Sequence, residues 1–422
     1  MFKGKLISLM DEYYWGRWVT LMNQRDEPPF NYYRLGNLFN VRVQDGVCPE
    51  FQQKIEHGRG VTQPIHLTIE KGEGNPDLYD YARDKLTFIN DDFLPVVLAW
   101  RPTADELLVS DGRYEIVRQG GAYTIGPGRI SIRGKVIDNY VEHGLLRPIA
   151  NSILVPQGAM MAHAGAVCID GKVILLLGES GKTSLVLGLL SRGAEYMADE
   201  FVFLQSNGIC NAYSPYIWLD DRHFIHYPEL LATCYPDPGQ RKRVEKNISF
   251  FRTGYSIKGG NLLSRLLREL IIKKTYFEGL TCRFDRPFPK ARMRDSGKVA
   301  YAFHLESSEK ESLMVPTTAK DIARVESTAA WIKHGYHNHM MGLAGMPQID
   351  LPKLEGVLEA SLSEASCHRV RVKLRQQRSR KEHDQVVDEI LKIVGMGRSP
   401  RPSHLKTESR DPSQRKSRNP SI

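Results

Sequence analysis

Residues 171–204 read GKVILLLGESGKTSLVLGLLSRGAEYMADEFVFL, and this stretch decides the fold. Residues 173–177 are a continuous apolar run of the kind buried on both faces of a parallel sheet, and the run stops at Gly178. Gly178-Glu179-Ser180-Gly181-Lys182-Thr183 follows, with glycines that let backbone amides converge on an anion, a lysine charge and a hydroxyl. Leu185, Val186, Leu189 and Leu190 give the next segment the apolar face of a helix, with Ser184 in its first turn and Gly193 placed to cap its end. Residues 196–198 then return to the sheet and deliver Asp199-Glu200 beside the loop. Strand, glycine loop, helix and strand ending on acids are the parts that hold a nucleotide triphosphate and its magnesium.

The loop departs from the G-x-x-x-x-G-K-[ST] pattern in one of two ways. Aligned from Lys182, Leu176 stands at the first glycine; aligned from the end of the strand, Gly178 is the first glycine and the loop is two residues short. Without a ligand, the same glycines serve as a simple strand-to-helix turn.

Four short patterns occur in a fixed order: His163-Ala164-Gly165-Ala166-Val167, the loop, Ser191-Arg192-Gly193, and Ala198-Asp199-Glu200. In that order and spacing the chain resembles the HPr kinase family, in its C-terminal catalytic domain and in the shorter HPr-kinase-like proteins found with peptide-modifying systems. The likeness is good over residues 145–204. At the far end His368-Arg369-Val370-Arg371-Val372 and the amphipathic residues 384–394 are similar to the family's closing strand and helix. The spacing from His163 to Gly178 and from Lys182 to Asp199 matches without a gap, which places the departure inside the loop.

The resemblance implies an α/β P-loop fold of the HPr-kinase-like, PEP-carboxykinase-like kind, using ATP and Mg2+. It implies that Gly178, Glu179, Ser180, Gly181, Lys182, Thr183 and Ser184 hold the nucleotide, and that Thr183, Asp199 and Glu200 hold the metal. Asp199 is then the base or metal-linked acid, Lys182 the phosphate cation, and Glu200 stands where the family has a second Asp. His163 reads either as a group orienting Asp199 or a phosphate oxygen, or as a core histidine on a buried strand. The expected activity is phosphoryl transfer to a serine or other hydroxyl of a peptide or small protein; the alternative is a nucleotide-binding protein that recruits a partner without turnover. The family also suggests a homo-oligomer.

At 422 residues, with 41% hydrophobic and 25% charged residues, the chain has material for two domains with sizeable cores. Three segments are expected: a β-rich domain over 1–145, the nucleotide-binding domain over 146–396, and a basic tail over 397–422. Residues 65–69 alternate, residues 96–100 are apolar, and residues 106–132 hold short β-branched runs split by glycine turns. This first domain reads as a scaffold or as a recognition surface for the substrate. Residues 145–153 read as helical or extended.

The net charge of +9 raises nucleic acid as a partner, but much of the excess sits in residues 369–381 and in the tail. The tail's Pro, Ser and Arg content suits a solvated, disordered segment, and no aromatic residues interleave with its arginines as a stacking platform requires. An acidic partner is the other use for such a tail. The six cysteines lie far apart with no C-x-x-C spacing, so they read as reduced thiols. No apolar run approaches membrane-spanning length and the first residues lack a small-residue cleavage site, so the expected location is cytoplasmic. His334, His337 and His339 fit no zinc-binding spacing, and Asp220-Asp221-Arg222-His223 and residues 240–243 supply loop charges without a fixed role.

Overall fold

The computed structural model describes residues 29–60, 64–72, 87–90, 95–100, 107–110, 122–126, 128–133, 141–178, 181–220, 223–256, 280–308, 313–327, 347–373 and 380–395. Glu179, Ser180, Asp221, Arg222, the three histidines at 334, 337 and 339, and the tail lie outside them. The chain divides into two units, Met1–Leu146 with Tyr336–Pro347, and Arg147–Gly335 with Gln348–Ile422.

The first unit is built on an eight-stranded sheet in the order β1-β2-β3-β8-β7-β6-β5-β4. These strands are β1 (Phe30–Leu35), β2 (Phe39–Gln44), β3 (Leu67–Lys71), β4 (Thr87–Asn90), β5 (Pro95–Trp100), β6 (Leu107–Ser110), β7 (Ala122–Gly126) and β8 (Arg129–Arg133). The alternating run at 65–69 and the glycine-split runs at 106–132 therefore form strands, because short β-branched segments between turn residues pair with their neighbours more readily than they wind. Helix α1 (Pro49–Ile55) brings in Gln52, whose amide bonds the Tyr33 hydroxyl, the Asn31 side chain and the Gln44 and Val47 carbonyls.

The second unit opens with α2 (Arg147–Leu154), so the 145–153 stretch is helical rather than extended. Its main sheet runs β12-β10-β11-β17-β19-β18, where β10 is Gly165–Ile169, β11 Lys172–Gly178, β12 Glu195–Ala198, β17 Ser296–Ser308, β18 Leu313–Pro316 and β19 Ser366–Lys373. The sheet is mixed. Strand β11 is antiparallel to β10 and parallel to β17. An apolar run buried on both faces looks the same whichever way its neighbours run. The first residues of β17 also pair with β14 (Ile209–Ala212), which joins β13 (Val202–Gln205) and β9 (Ala159–Ala162) in an antiparallel arm.

Two cores lie on the two faces of β11. Ile174 and Leu176 pack with α3 (Lys182–Leu190), while Val173, Leu175 and Leu177 pack with the β9–β13–β14 arm and the helix Leu351–Ser361. The alternation follows from the two-residue period of a strand. Helix α3 is buried all round, not along one face: of its nine residues only Thr183 is half-exposed. The C-terminal helix Arg380–Val394 covers it, with His383, Val386, Val387, Ile390 and Leu391 buried. All six cysteines are buried and none is joined in a disulfide. Part of the basic excess is neutralised locally, with Arg369 and Arg371 paired to Glu306 and Arg380 to Glu229. Among the described residues, no helix is long and apolar enough to cross a membrane.

Candidate functional site

The site forms where β11 hands over to α3. Gly178 ends the strand at φ +97°, and a Cβ there would collide with the Leu305 carbonyl on β17. Only glycine meets both demands. Gly181 caps α3 at φ +90°, so three residues, 179–181, separate strand from helix. The amides of the first helical turn have no partner within the helix and carry the positive end of its dipole, which suits them to an anion.

Lys182, the first helical residue, is 6% exposed, and its ammonium donates to the Gly178 carbonyl. Asp199 follows directly on β12 and is 2% exposed. Strand β12 is separated from β11 by β10, so a spacer is needed to bring the acid to the lysine, and Gly165 on β10 supplies it. A Cβ at Gly165 would lie 2.9 Å from Val186 Cγ2, 3.6 Å from the Asp199 carbonyl oxygen and 3.7 Å from Lys182 Cβ. The glycine of the His-Ala-Gly pattern thus lets α3 and the acid turn close over β10.

Asp199 is poorly satisfied. Its Oδ2 accepts from the Trp218 amide at 3.4 Å, a long bond, and its Oδ1 is buried with no hydrogen-bond partner. Burial pushes its pKa up to about 7, with the Glu200 charge adding to the shift. The Thr183 hydroxyl, the Trp218 amide and Lys182 act in the opposite direction. Ser184 Oγ, in the first turn of α3, is also buried without a partner. Buried polar atoms are nearly always bonded, so an unmatched carboxylate oxygen beside the strand end marks the place of a ligand. An orphaned carboxylate oxygen beside a threonine hydroxyl and a second carboxylate is an oxygen-rich set of the kind magnesium takes.

Sequence reading missed a second layer of charge. His304 lies on β17 opposite Leu177, one step before the loop, and its Nε2 contacts Glu326 Oε1 at 3.2 Å. Glu326 belongs to the helix 319–327. Burial pushes its carboxyl up, but the His304 bond, Lys182 and Arg147 outweigh that and hold its pKa below the usual carboxylate range. Arg147, at the start of α2, keeps part of its surface in solvent while its Nε is buried; burial pulls its pKa down to about 10, against Glu326. Lys182 is lowered chiefly by burial, with Glu326, Asp199 and Glu200 opposing and Arg147 adding. Three cationic or basic groups and three acids drawn from distant segments therefore share one strand end. No motif spacing connects Arg147, His304 and Glu326 to the loop in sequence.

The predicted site residues divide accordingly. Gly178, Gly181, Lys182, Thr183, Ser184 and Asp199 come together, with Glu200 next to Asp199, while Glu179 and Ser180 lie outside the described residues. His163 sits in the link between β9 and β10 rather than on a strand, half-exposed, with its ring 5.6 Å from that of Phe201. The neighbouring Ala164 amide bonds the Glu200 carbonyl at 3.0 Å, which ties this link to the acid turn. Asp220 and His223 pair with each other at 3.1 Å and are both buried, so these loop charges are used internally.

No family model matches the chain, and no curated protein does. Among solved structures, the Hpr(Ser) kinase/phosphatase from Coxiella burnetii is similar at 12% identity over 56% of this chain and 99% of that chain, with a TM-score of 0.25. Function is therefore read from this chain's own residues.

Proposed function

We propose that the chain is a magnesium- and ATP-dependent phosphotransferase acting on a serine or other hydroxyl of a peptide or small protein. The observation that carries this reading is Asp199, buried with an unmatched oxygen beside Lys182 at the start of α3. Lys182 exchanges the Gly178 carbonyl for the outer phosphates, a stronger partner because both are charged. Amides of the first turn of α3, Gly178, Glu179, Ser180 and Gly181 form the rest of the cradle. Thr183, Asp199 and Glu200 are the oxygen donors for the metal. Bound magnesium supplies neutralisation of the polyphosphate charge. Asp199, buried beside the loop, takes the proton of the acceptor hydroxyl as that oxygen bonds to the γ-phosphorus and the bond to the ADP oxygen breaks. His163, whose neighbour Ala164 bonds the acid turn, orients Asp199 or a phosphate oxygen.

The three-residue connection favours a second reading, a nucleotide-binding protein without turnover, because it offers fewer amides than a longer loop. Asp199→Asn separates the two. A phosphotransferase should keep ATP affinity within a few fold and lose about a hundredfold or more in transfer of labelled γ-phosphate to peptides, the usual contribution of a positioned base. A binding module should show no transfer in either form, with the substitution weakening magnesium-ATP alone.

A further inference from the structure

Strand β15 (Tyr216–Leu219) pairs antiparallel with β16 (Leu280–Arg283). Ile217 and Leu219 are buried in the core beneath, so the two-residue period turns Tyr216 and Trp218 to the opposite face. Tyr216 is half-buried there, while Trp218 is 36% exposed, one of few large apolar side chains among the described residues to remain so. The Trp218 ring is nevertheless held: it lies 6.3 Å from the His223 ring at nearly a right angle, and His223 Nδ1 contacts the buried Asp220 at 3.1 Å. The outward part of the ring is an apolar surface held in a fixed orientation.

Its position explains what the exposure serves. The Trp218 amide is the group that contacts Asp199 Oδ2, and the Tyr216 carbonyl accepts from the Tyr196 hydroxyl at 2.8 Å, so the outer edge of β15 runs directly past the acid. In the phosphotransferase reading Asp199 meets the acceptor hydroxyl at the far end of the triphosphate from the nucleobase. Aromatic rings rooted at Asp199 therefore belong to the acceptor's side. We propose that Tyr216 and Trp218 are an acceptor platform that takes an extended peptide, contacting apolar residues two positions from the phosphorylated hydroxyl residue. The spacing agrees: side chains two apart on an extended peptide share one face at the same repeat as Tyr216 and Trp218. This inference rests on that reading for its substrate, but its test does not need turnover.

The probes are serine hexapeptides carrying Trp or Leu two positions from the serine, and the same peptides with Gly there. Binding is measured calorimetrically with magnesium and a non-hydrolysable ATP analogue, and again without nucleotide. The flanked peptides should bind about tenfold tighter than the Gly peptides. Trp218→Ala should erase that difference while leaving ATP and adenosine affinity unchanged, and Trp218→Phe should restore most of it. Because Trp218 is exposed, the substitution spares the core. Equal binding of flanked and Gly peptides would overturn the proposal. So would a Trp218→Ala protein that loses adenosine and ATP affinity, since the ring would then stack on the nucleobase. Loss of transfer in Asp199→Asn bears on the phosphotransferase reading alone and leaves these affinities to decide the platform.

Discussion

The two ends of helix α3 handle buried polar groups in opposite ways. At its C-terminal end the last residues are tied to their neighbours: Ser191 Oγ donates to the Gly188 carbonyl at 2.7 Å, and Arg192 reaches Ser191, Asp384 and Asp388. Along the flank of the helix Tyr227 donates to the Ser184 carbonyl, at 3.1 Å, and bonds His383 Nε2, at 2.6 Å, and His383 stacks on His226. At its N-terminal end Asp199 Oδ1 and Ser184 Oγ have no partner, and Lys182 is spent on a carbonyl. One helix thus carries a finished joint and an unfinished one. Since leaving a buried polar atom unmatched costs about 1–3 kcal/mol, the unfinished end is retained for a ligand rather than for the fold.

That contrast makes stability and function move in opposite directions at the two ends. The largest effect is expected at Asp199. Its pKa is raised from 3.8 to about 7, so the folded state binds a proton that the unfolded state releases, and stability falls as pH rises from about 4 through about 7. At pH 8 Asp199→Asn should therefore stabilise the magnesium-free protein by about 2–4 kcal/mol, a gain that vanishes below about pH 4. Urea unfolding at the two pH values checks it. A loss of stability at pH 8 would mean that the carboxylate is satisfied and the contrast false.

Next comes Arg192→Ala at the finished end, expected to cost about 1–3 kcal/mol of stability by leaving the Asp384 side undercompensated, with ATP affinity unchanged. Thermal unfolding and calorimetry on the same sample read both. The smallest effect is Ser184→Ala: stability within about 0.5 kcal/mol of the parent or slightly higher, with magnesium-ATP binding weakened a few fold. A clear destabilisation would show that the Ser184 hydroxyl serves the fold.

Much of this contrast was legible in sequence, and the part that was not has a physical reason. Strand, loop, helix and acid between 172 and 199 could be read because each follows from local features: an apolar run, glycines at a turn, helical spacing and a returning strand. The direction of the neighbouring strands was hidden, since burial on both faces depends on coverage and not on polarity. Gly165 stood in the quoted pattern, but its task as a spacer between Lys182 and Asp199 appears only when β12 is placed beyond β10. Arg147, His304 and Glu326 arrive from three distant segments and share no spacing with the loop, so only the sheet brings them together. No local pattern marks Trp218, whose outward placement follows only from Ile217 and Leu219 taking the core side.

The central claim is that the strand end at Gly178 and Lys182 binds the phosphates of a nucleotide. Calorimetric titration of magnesium-ATP into the parent protein, Lys182→Ala and Arg192→Ala tests it most directly. The parent and Arg192→Ala should bind alike, and folded Lys182→Ala should lose about 1.5–3 kcal/mol, the scale of a charge-assisted hydrogen bond. Equal ATP affinity in parent and folded Lys182→Ala, or no binding by the parent, would contradict it.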